Sequence, residues 1–459
     1  MARPSWQAPS HLAARPDTAI HQIPPSRPER VIVVTVMFIL AYNMPAYWVT
    51  PPSQSFVVSG SVQTQYTAVI LFGFLFGLAN MRFDPGPFIK LAREEWVLPV
   101  FLGYISLSVL WSAVPERSFD FVLIMVLIAG FGYWLVVRFP VRQIIGMLAV
   151  MFSIGTVVQL TLITFLPHYA VLDDGWTGLT KNRNVFGRSV SLAILVLLLA
   201  WRVFPRYRVA IWVMIAGNAV MIANANSKTS LVASLAAPGL FAIFTFFRAR
   251  RTLYGAVAVS MTIAAGIVAY LTAINLGNIS ETLDRAPDLS GRTPIWSAVW
   301  PEVFKRPVVG YGWRGFYNLD FTGPAFEVHR RLGRVLPHSH DALLDALLEV
   351  GIVGATLMVL IVVRLFIRGA RVIRYYRGAT GMLPLLVAAY TVLVSITEYG
   401  VFTTDIQFLV FVVAVLAAVP GRRDQLAAAF ATDRSFGGSF AVPAAVPPAA
   451  APRPVASVT

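Results

Sequence analysis

Hydrophobic residues run along this chain in long blocks, not in the alternation of a strand or the one-sided stripe of a soluble helix. Runs of about 17–25 apolar residues recur, and a helix needs that length to cross the hydrocarbon core of a bilayer. In order they predict about twelve spans, near 31–49, 65–81, 97–112, 119–138, 143–166, 184–201, 208–225, 229–247, 253–276, 341–368, 381–397 and 402–419. The expectation is an all-α polytopic membrane protein. The one long polar interval, 277–340, falls between the ninth and tenth spans and is expected to be its single large loop. Three regions follow. Residues 1–30 form a tail with scattered Pro and Arg and no apolar stretch before a cleavage site. Residues 31–420 form the membrane domain, and 421–459, rich in Ala, Pro, Ser and Gly, are expected to be a disordered tail.

Composition sharpens this reading. The chain is 57% hydrophobic and 13% charged, against about 25% charged in soluble domains. A net charge of +15 would suit nucleic acid, but in a polytopic protein Lys and Arg gather in cytoplasmic loops. With the N-terminal tail placed inside, basic residues in the short inward loops outnumber those outside by roughly five to one. Both termini are therefore expected in the cytoplasm, with no nucleic-acid partner. Cysteine is absent, which excludes a disulfide framework, a thiolate metal site and a thiol nucleophile.

The same topology turns the 277–340 loop outward, although it carries Arg285, Arg292, Lys305, Arg306, Arg314, Arg330, Arg331 and Arg334. Cations converging on an outer face point to an anionic ligand. Four stretches carry candidate chemistry. In GLTKNRNVFGRSVSL (178–192), Asn184 is expected to cap the sixth helix, with Arg183 and Arg188 flanking its N-terminal turn, where free N–H groups favour an anion. A solvated loop end is the other reading. In NANSKTS (224–230), Lys228 stands at a helix start among residues that also serve as ordinary caps. In SGRTPIWSAVWPEVF, Thr293 and Pro294 read as cap and first helical residue. Trp296, Trp300 and Phe304 then make an aromatic face suited to the headgroup region, bringing Arg292 to a lipid's polar head or simply anchoring the loop. In LPHSHDALLD, His340 can take a proton from a hydroxyl near neutral pH, with His338, Asp341 and Asp345 placed to orient or charge it. Two histidines capping a helix is the alternative.

Several chemistries lack their residues. A His-x-His metal site has no third ligand at the right spacing, His329 and the more distant His168 being the other outward histidines. The first outer loop has no acid, and Asp173-Asp174 reads as a turn. No GxSxG, P-loop or HExxH occurs. Neither a metal nor another cofactor is expected. The absence of an inverted repeat weighs against a transporter or lipid flippase.

Taken together, the KN…GR stretch before the sixth helix, the Ser-basic-Thr turn at 227–229, GRxxIW at 291–296, Pro307 with GYG, and H-D-x9-G-x-x-G from His340 to Gly354 resemble the superfamily of O-antigen ligases and Wzy-type polysaccharide polymerases. Within it the chain is most similar to the exopolysaccharide polymerase (ExoQ-like) branch. Lys228 stands where that family often has Arg, and Asp341 where it usually has Asn, Ser or Gln. The resemblance implies a glycosyltransferase of the bacterial inner membrane with its site on the periplasmic face. The implied reaction is metal-independent, inverting transfer of a glycan from a polyprenyl-diphosphate carrier to an acceptor sugar, with membrane lipids and a chain-length regulator as further partners. On that reading Arg183, Arg188, Lys228 and Arg292 hold the diphosphate, His340 is the base, and His338, Asp341 and Trp296 support it. Polymerisation of lipid-linked repeat units is the leading expectation. Ligation of finished glycan to a lipid or protein acceptor is the alternative.

Overall fold

The computed structural model describes residues 25–42, 60–80, 85–172, 175–180, 182–227, 230–231, 233–234, 238–241, 245, 292–317, 323–375, 378–395, 400 and 402–419. These lie within one compact unit that ends at Gly421. The eighth and ninth expected spans, the 1–24 tail, Asp173-Asp174, Lys228 and the C-terminal tail lie largely or wholly outside the described residues.

The described chain is helical, as long apolar blocks require where water is not available to satisfy backbone groups. Its helices are α1 (Arg27–Tyr42), α2 (Gly60–Asn80), α3 (Gly86–Glu94), α4 (Val97–Leu107), α5 (Pro115–Arg138), α6 (Val141–Phe165), α7 (Arg183–Val203) and α8 (Arg208–Asn224). After the polar interval come α9 (Arg292–Lys305), α10 (Phe326–Leu332), α11 (Ala342–Tyr375), α12 (Leu383–Ser395) and α13 (Ile406–Ala417). A two-stranded antiparallel hairpin, β1 (Val171–Leu172) and β2 (Gly175–Trp176), precedes α7. Among the described residues five helical segments are long and apolar enough to cross a membrane: Pro115–Arg138, Val141–Phe165, Arg183–Val203, Pro205–Asn224 and Ala342–Ile373. Shorter apolar helices lie at Thr67–Gly77, Val97–Trp111, Ala379–Ser395 and Ile406–Ala417.

Burial sorts these helices. All of α13 is buried, packed on α5 and α12, and α7 is buried along nearly its whole length between α6 and α8. Elsewhere one face stays open and apolar, with Val150, Ile154 and Val157 on α6, Trp212, Val213 and Val220 on α8, and Val359, Val363 and Ile367 on α11 exposed. A helix apolar on its buried and its open face alike suits a lipid surround. Between helices, polar side chains bond one another: Asn218 Nδ2 donates to Thr156 Oγ1 at 2.7 Å, tying α8 to α6.

The connections meet in two sets. At one end Glu29 pairs with Arg138, Glu95 with Arg364 and Arg368, and Arg142 lies over Phe204. At the other, Ala113 N donates to Tyr311 O (3.0 Å), Ser227 Oγ donates to Asn184 Oδ1 (3.1 Å), and Arg188 reaches Gly400. Each contact joins segments that the alternation of basic loops puts on the same side.

Two features of α11 differ from a plain span. It is broken at Gly351, whose φ of 61° and ψ of −169° leave the helical region. The turn from Pro307 to Gly312 fills the break: Tyr311 N donates to Leu348 O (2.9 Å) and Ile352 N to Pro307 O (2.9 Å). Tyr104 Oη takes the freed Val350 carbonyl at 3.0 Å. A side chain at Gly351 would strike Val308 O, and one at Gly310 would come within 2.6 Å of the Glu349 backbone. These motif glycines therefore serve close approach of loop and helix, and the φ of 61° at Gly351 is one that few other residues adopt.

Candidate active site

The segment 336–341 between α10 and α11 carries His338 and His340, and Ser339 between them is its fulcrum. Ser339 is fully buried. Its N–H donates to Asp345 Oδ1 (2.8 Å), its carbonyl accepts from Trp296 Nε1 (3.1 Å), and its hydroxyl donates to Asp341 O (3.1 Å) while accepting from Asp341 N (3.3 Å). Held this way, the next residue, His340, takes a left-handed backbone with φ of 60°. An L-residue there costs roughly 1–2 kcal/mol, and strain of this kind clusters at functional sites. The His340 N–H donates to His338 Nδ1 at 3.1 Å, so that atom offers a lone pair, and neutral His338 carries its proton on Nε2. The two rings lie 4.1 Å apart, inclined at 58°. Asp341 caps α11 by accepting from Leu344 N at 2.7 Å. An acid in this position suits the free N–H groups of a helix start.

Trp296 corrects the expected aromatic face. Its indole turns inward onto Ser339, whereas Trp300 and Phe304 stay 46% and 74% exposed and stack on each other. Positions four apart advance about 40° around a helix, so a stripe at i, i+4 and i+8 drifts by about 80° from first to last. That drift lets α9 dock one end of the stripe and expose the other. The helix begins at Arg292, two residues before the expected first position Pro294, so Thr293 lies within the helix and does not cap it. The side chains of Arg292 and Thr293 lie outside the described residues.

The α7 stretch also needs one correction. The cap is Asn182 and not Asn184: in an extended conformation, its Oδ1 accepts from Asn184 N and Val185 N. The helix starts earlier than the sequence pattern implied, so Asn184 faces outward from it and accepts from Ser227. Ser227 and Ser230, which bracket Lys228, pack against Asn184 and Gly187. Arg183 opens the helix, half-buried. Arg188, one turn on and 6% exposed, reaches Gly400 O with Nη1 at a long 3.5 Å, and among the described residues its Nε has no hydrogen-bond partner. Tyr390 Oη holds the Arg188 carbonyl at 3.0 Å. Gly400 in turn abuts α11, since a Cβ there would come within 3.0 Å of Ala342 Cβ. Gly400 thus separates Arg188 from the residue that follows Asp341.

Behind the His340 turn, Tyr317 is buried against the acids of α11, Asp345 and Glu349, and burial followed by their charge raises its phenol well above the ordinary tyrosine range. Arg117 donates to Tyr317 O, and Arg117 and Arg314 both approach the Phe121 ring, at 5.7 and 5.1 Å. Neither Tyr317 nor Gly400 announced itself in the sequence. A tyrosine five residues past GYG and a lone glycine carry no local signal of what they touch. His329 is buried with Nε2 3.3 Å from Leu336 O, inside the loop fold. Among the described residues no three His, Asp or Glu side chains gather to hold a metal ion.

Fold and site together define a helical membrane protein with a strained histidine turn and a buried arginine on either side of Gly400 at one end of the bundle. Comparison with known proteins agrees with that class. Residues 213–359 match the family model of the O-antigen ligase domain, Wzy_C, an interval that includes Lys228, Arg292 and His340. The chain is also 25% identical, over 361 residues, to the exopolysaccharide production protein ExoQ of Rhizobium meliloti (strain 1021), covering 72% of this chain and 79% of that protein. The two matches support the O-antigen ligase/ExoQ-like family for this chain.

Proposed function

We propose that the protein polymerises polyprenyl-diphosphate-linked oligosaccharide repeats into exopolysaccharide at the outer face of the inner membrane, by inverting glycosyl transfer without a metal. The observation that carries the reading is the packing of Gly400 between Arg188 and the start of α11, which sets a buried cation beside the His340 turn. Ser227 and Ser230 flank Lys228 and dock on the same α7 terminus, and Trp296 ties the helix opened by Arg292 to Ser339. Arg183 and Arg188 on α7, Lys228 after α8 and Arg292 on α9 supply four cations from three stretches, a charge that suits a diphosphate.

In the reaction, His340 takes the proton of an acceptor hydroxyl as its oxygen attacks the anomeric carbon. The bond from that carbon to the phosphate oxygen breaks on the opposite face, and the electron pair leaves with the lipid diphosphate. Arg183, Arg188, Lys228 and Arg292 hold that group and offset the charge growing on it, a contribution worth about 10²–10³ in rate for one well-placed donor. The proton passes from His340 to water. His338, which accepts the His340 N–H, and Asp341, which caps α11, support the base.

The test supplies the purified full chain in lipid vesicles with lipid-linked repeat units, with and without a chelator. Longer lipid-linked chains should appear at equal rates in both, and His340→Ala or Arg292→Ala should abolish them. No extension by the wild type, or wild-type extension by both variants, overturns the reading. Transfer only to a lipid or protein acceptor makes the protein a ligase of the same chemistry.

A further inference from the structure

We propose that Asp345 is a positioning residue for His340, acting as the hydrogen-bond acceptor of the Ser339 amide and not as a charge partner of the imidazole. The proposal rests on His340 being the base. Asp345 sits in the first turn of α11, 1% exposed, and its Oδ1 accepts the Ser339 N–H at 2.8 Å. With the Trp296 indole on the Ser339 carbonyl and the Ser339 hydroxyl bridging Asp341, the peptide groups on both sides of Ser339 are fixed. A left-handed non-glycine residue persists only where its surroundings over-determine it, and this clamp does so for His340. The groups that face this carboxylate are Ser339, Tyr317, Glu349 and Arg314. The carboxylate therefore acts on the backbone one residue before the base.

This assignment separates two substitutions that a charge role would not. Asparagine keeps an oxygen for the Ser339 N–H and loses the charge, whereas alanine loses both. The experiment uses the full chain in vesicles and measures kcat and KM for extension of lipid-linked repeats. Independently of substrate, it follows modification of His340 by diethyl pyrocarbonate, located by mass spectrometry. Asp345→Ala should lower kcat on the order of 10²-fold, as a misplacement of about 1 Å does, with KM within about twofold and His340 modified at an altered rate. Asp345→Asn should restore kcat to within about threefold of wild type, and the wild-type modification rate with it. Trp296→Phe keeps the ring and removes only the N–H to Ser339, so it should shift both readouts the same way by less, which keeps the test open if Asp345→Ala fails to fold. Asp345→Asn falling as far as Asp345→Ala overturns the proposal, as does an unchanged modification rate in both Asp345→Ala and Trp296→Phe. If wild type extends nothing, the function reading fails, while the modification arm still reads the clamp.

Discussion

The two ends of the helix bundle treat a buried arginine in different ways. At one end each buried acid has its cation: Arg138 grips Glu29 with two parallel bonds, Nε to Oε1 at 2.7 Å and Nη2 to Oε2 at 2.9 Å, and Glu95 is held between Arg364 and Arg368. At the other end Arg188, equally buried, meets one backbone carbonyl at 3.5 Å and, among the described residues, no carboxylate. A buried pair is internally balanced and serves the fold, whereas a buried cation with a partial partner is a candidate to bind an anion. The difference separates structural charges from candidate binding charges without appeal to position in the sequence.

The comparison can be broken by substitution. The largest effect is expected for Arg188→Met, which keeps volume and removes charge. Extension of lipid-linked repeats should fall by about 10²–10³, while the thermal midpoint in detergent holds or rises, because an incompletely paired buried charge is removed. A variant that unfolds early would mean that Arg188 is structural. At the other end Glu95→Gln should cost about 3 kcal/mol by leaving Arg364 and Arg368 without their anion, with the rate per folded molecule unchanged. Lost rate at full stability would move the functional charge to that end.

Smaller effects sharpen the picture. His340→Gly and His340→Ala should both abolish extension, but the glycine variant should unfold later, by roughly 1–2 kcal/mol, because it relieves the left-handed φ. Equal midpoints would show that no strain is held there. Tyr390→Phe removes the hydroxyl that holds the Arg188 carbonyl and should cost about 1 kcal/mol, with a modest rise in KM for the lipid-linked donor. An unchanged midpoint and KM would remove Tyr390 from the support of Arg188.

Much of this was legible in the residues. Helices α1, α2, α4 to α8 and α11 to α13 overlap the apolar blocks, because in a bilayer length and hydropathy decide nearly everything about a span, whereas the short α3 lies between two blocks and was not expected. The glycines of the Pro307–Gly312 turn and Gly351 and Gly354 stood out in the sequence as motif positions, though not as each other's partners. Three local readings needed correcting. Asn182, and not Asn184, caps α7, since either Asn suits a cap and only the start of the helix chooses. Trp296 faces inward, since a stripe four residues apart does not say which end is buried. Helix α9 starts at Arg292 and takes in Thr293, since a Thr-Pro pair suits the first turn of a helix as well as its cap.

By itself, then, the sequence determined the class of protein, the order of its polar stretches and the residue types available for chemistry. These follow from local properties, namely hydrophobic length, turn residues and the bias of basic loops. Only the tertiary structure decided which charges are spent and which remain. Glu29 and Arg138 stand 109 residues apart and Arg188 and Gly400 212 apart, and no pattern along the chain fixes such partners. Their meeting depends on how helices pack across the bundle, where each buried polar group must find the neighbour that the packing leaves beside it.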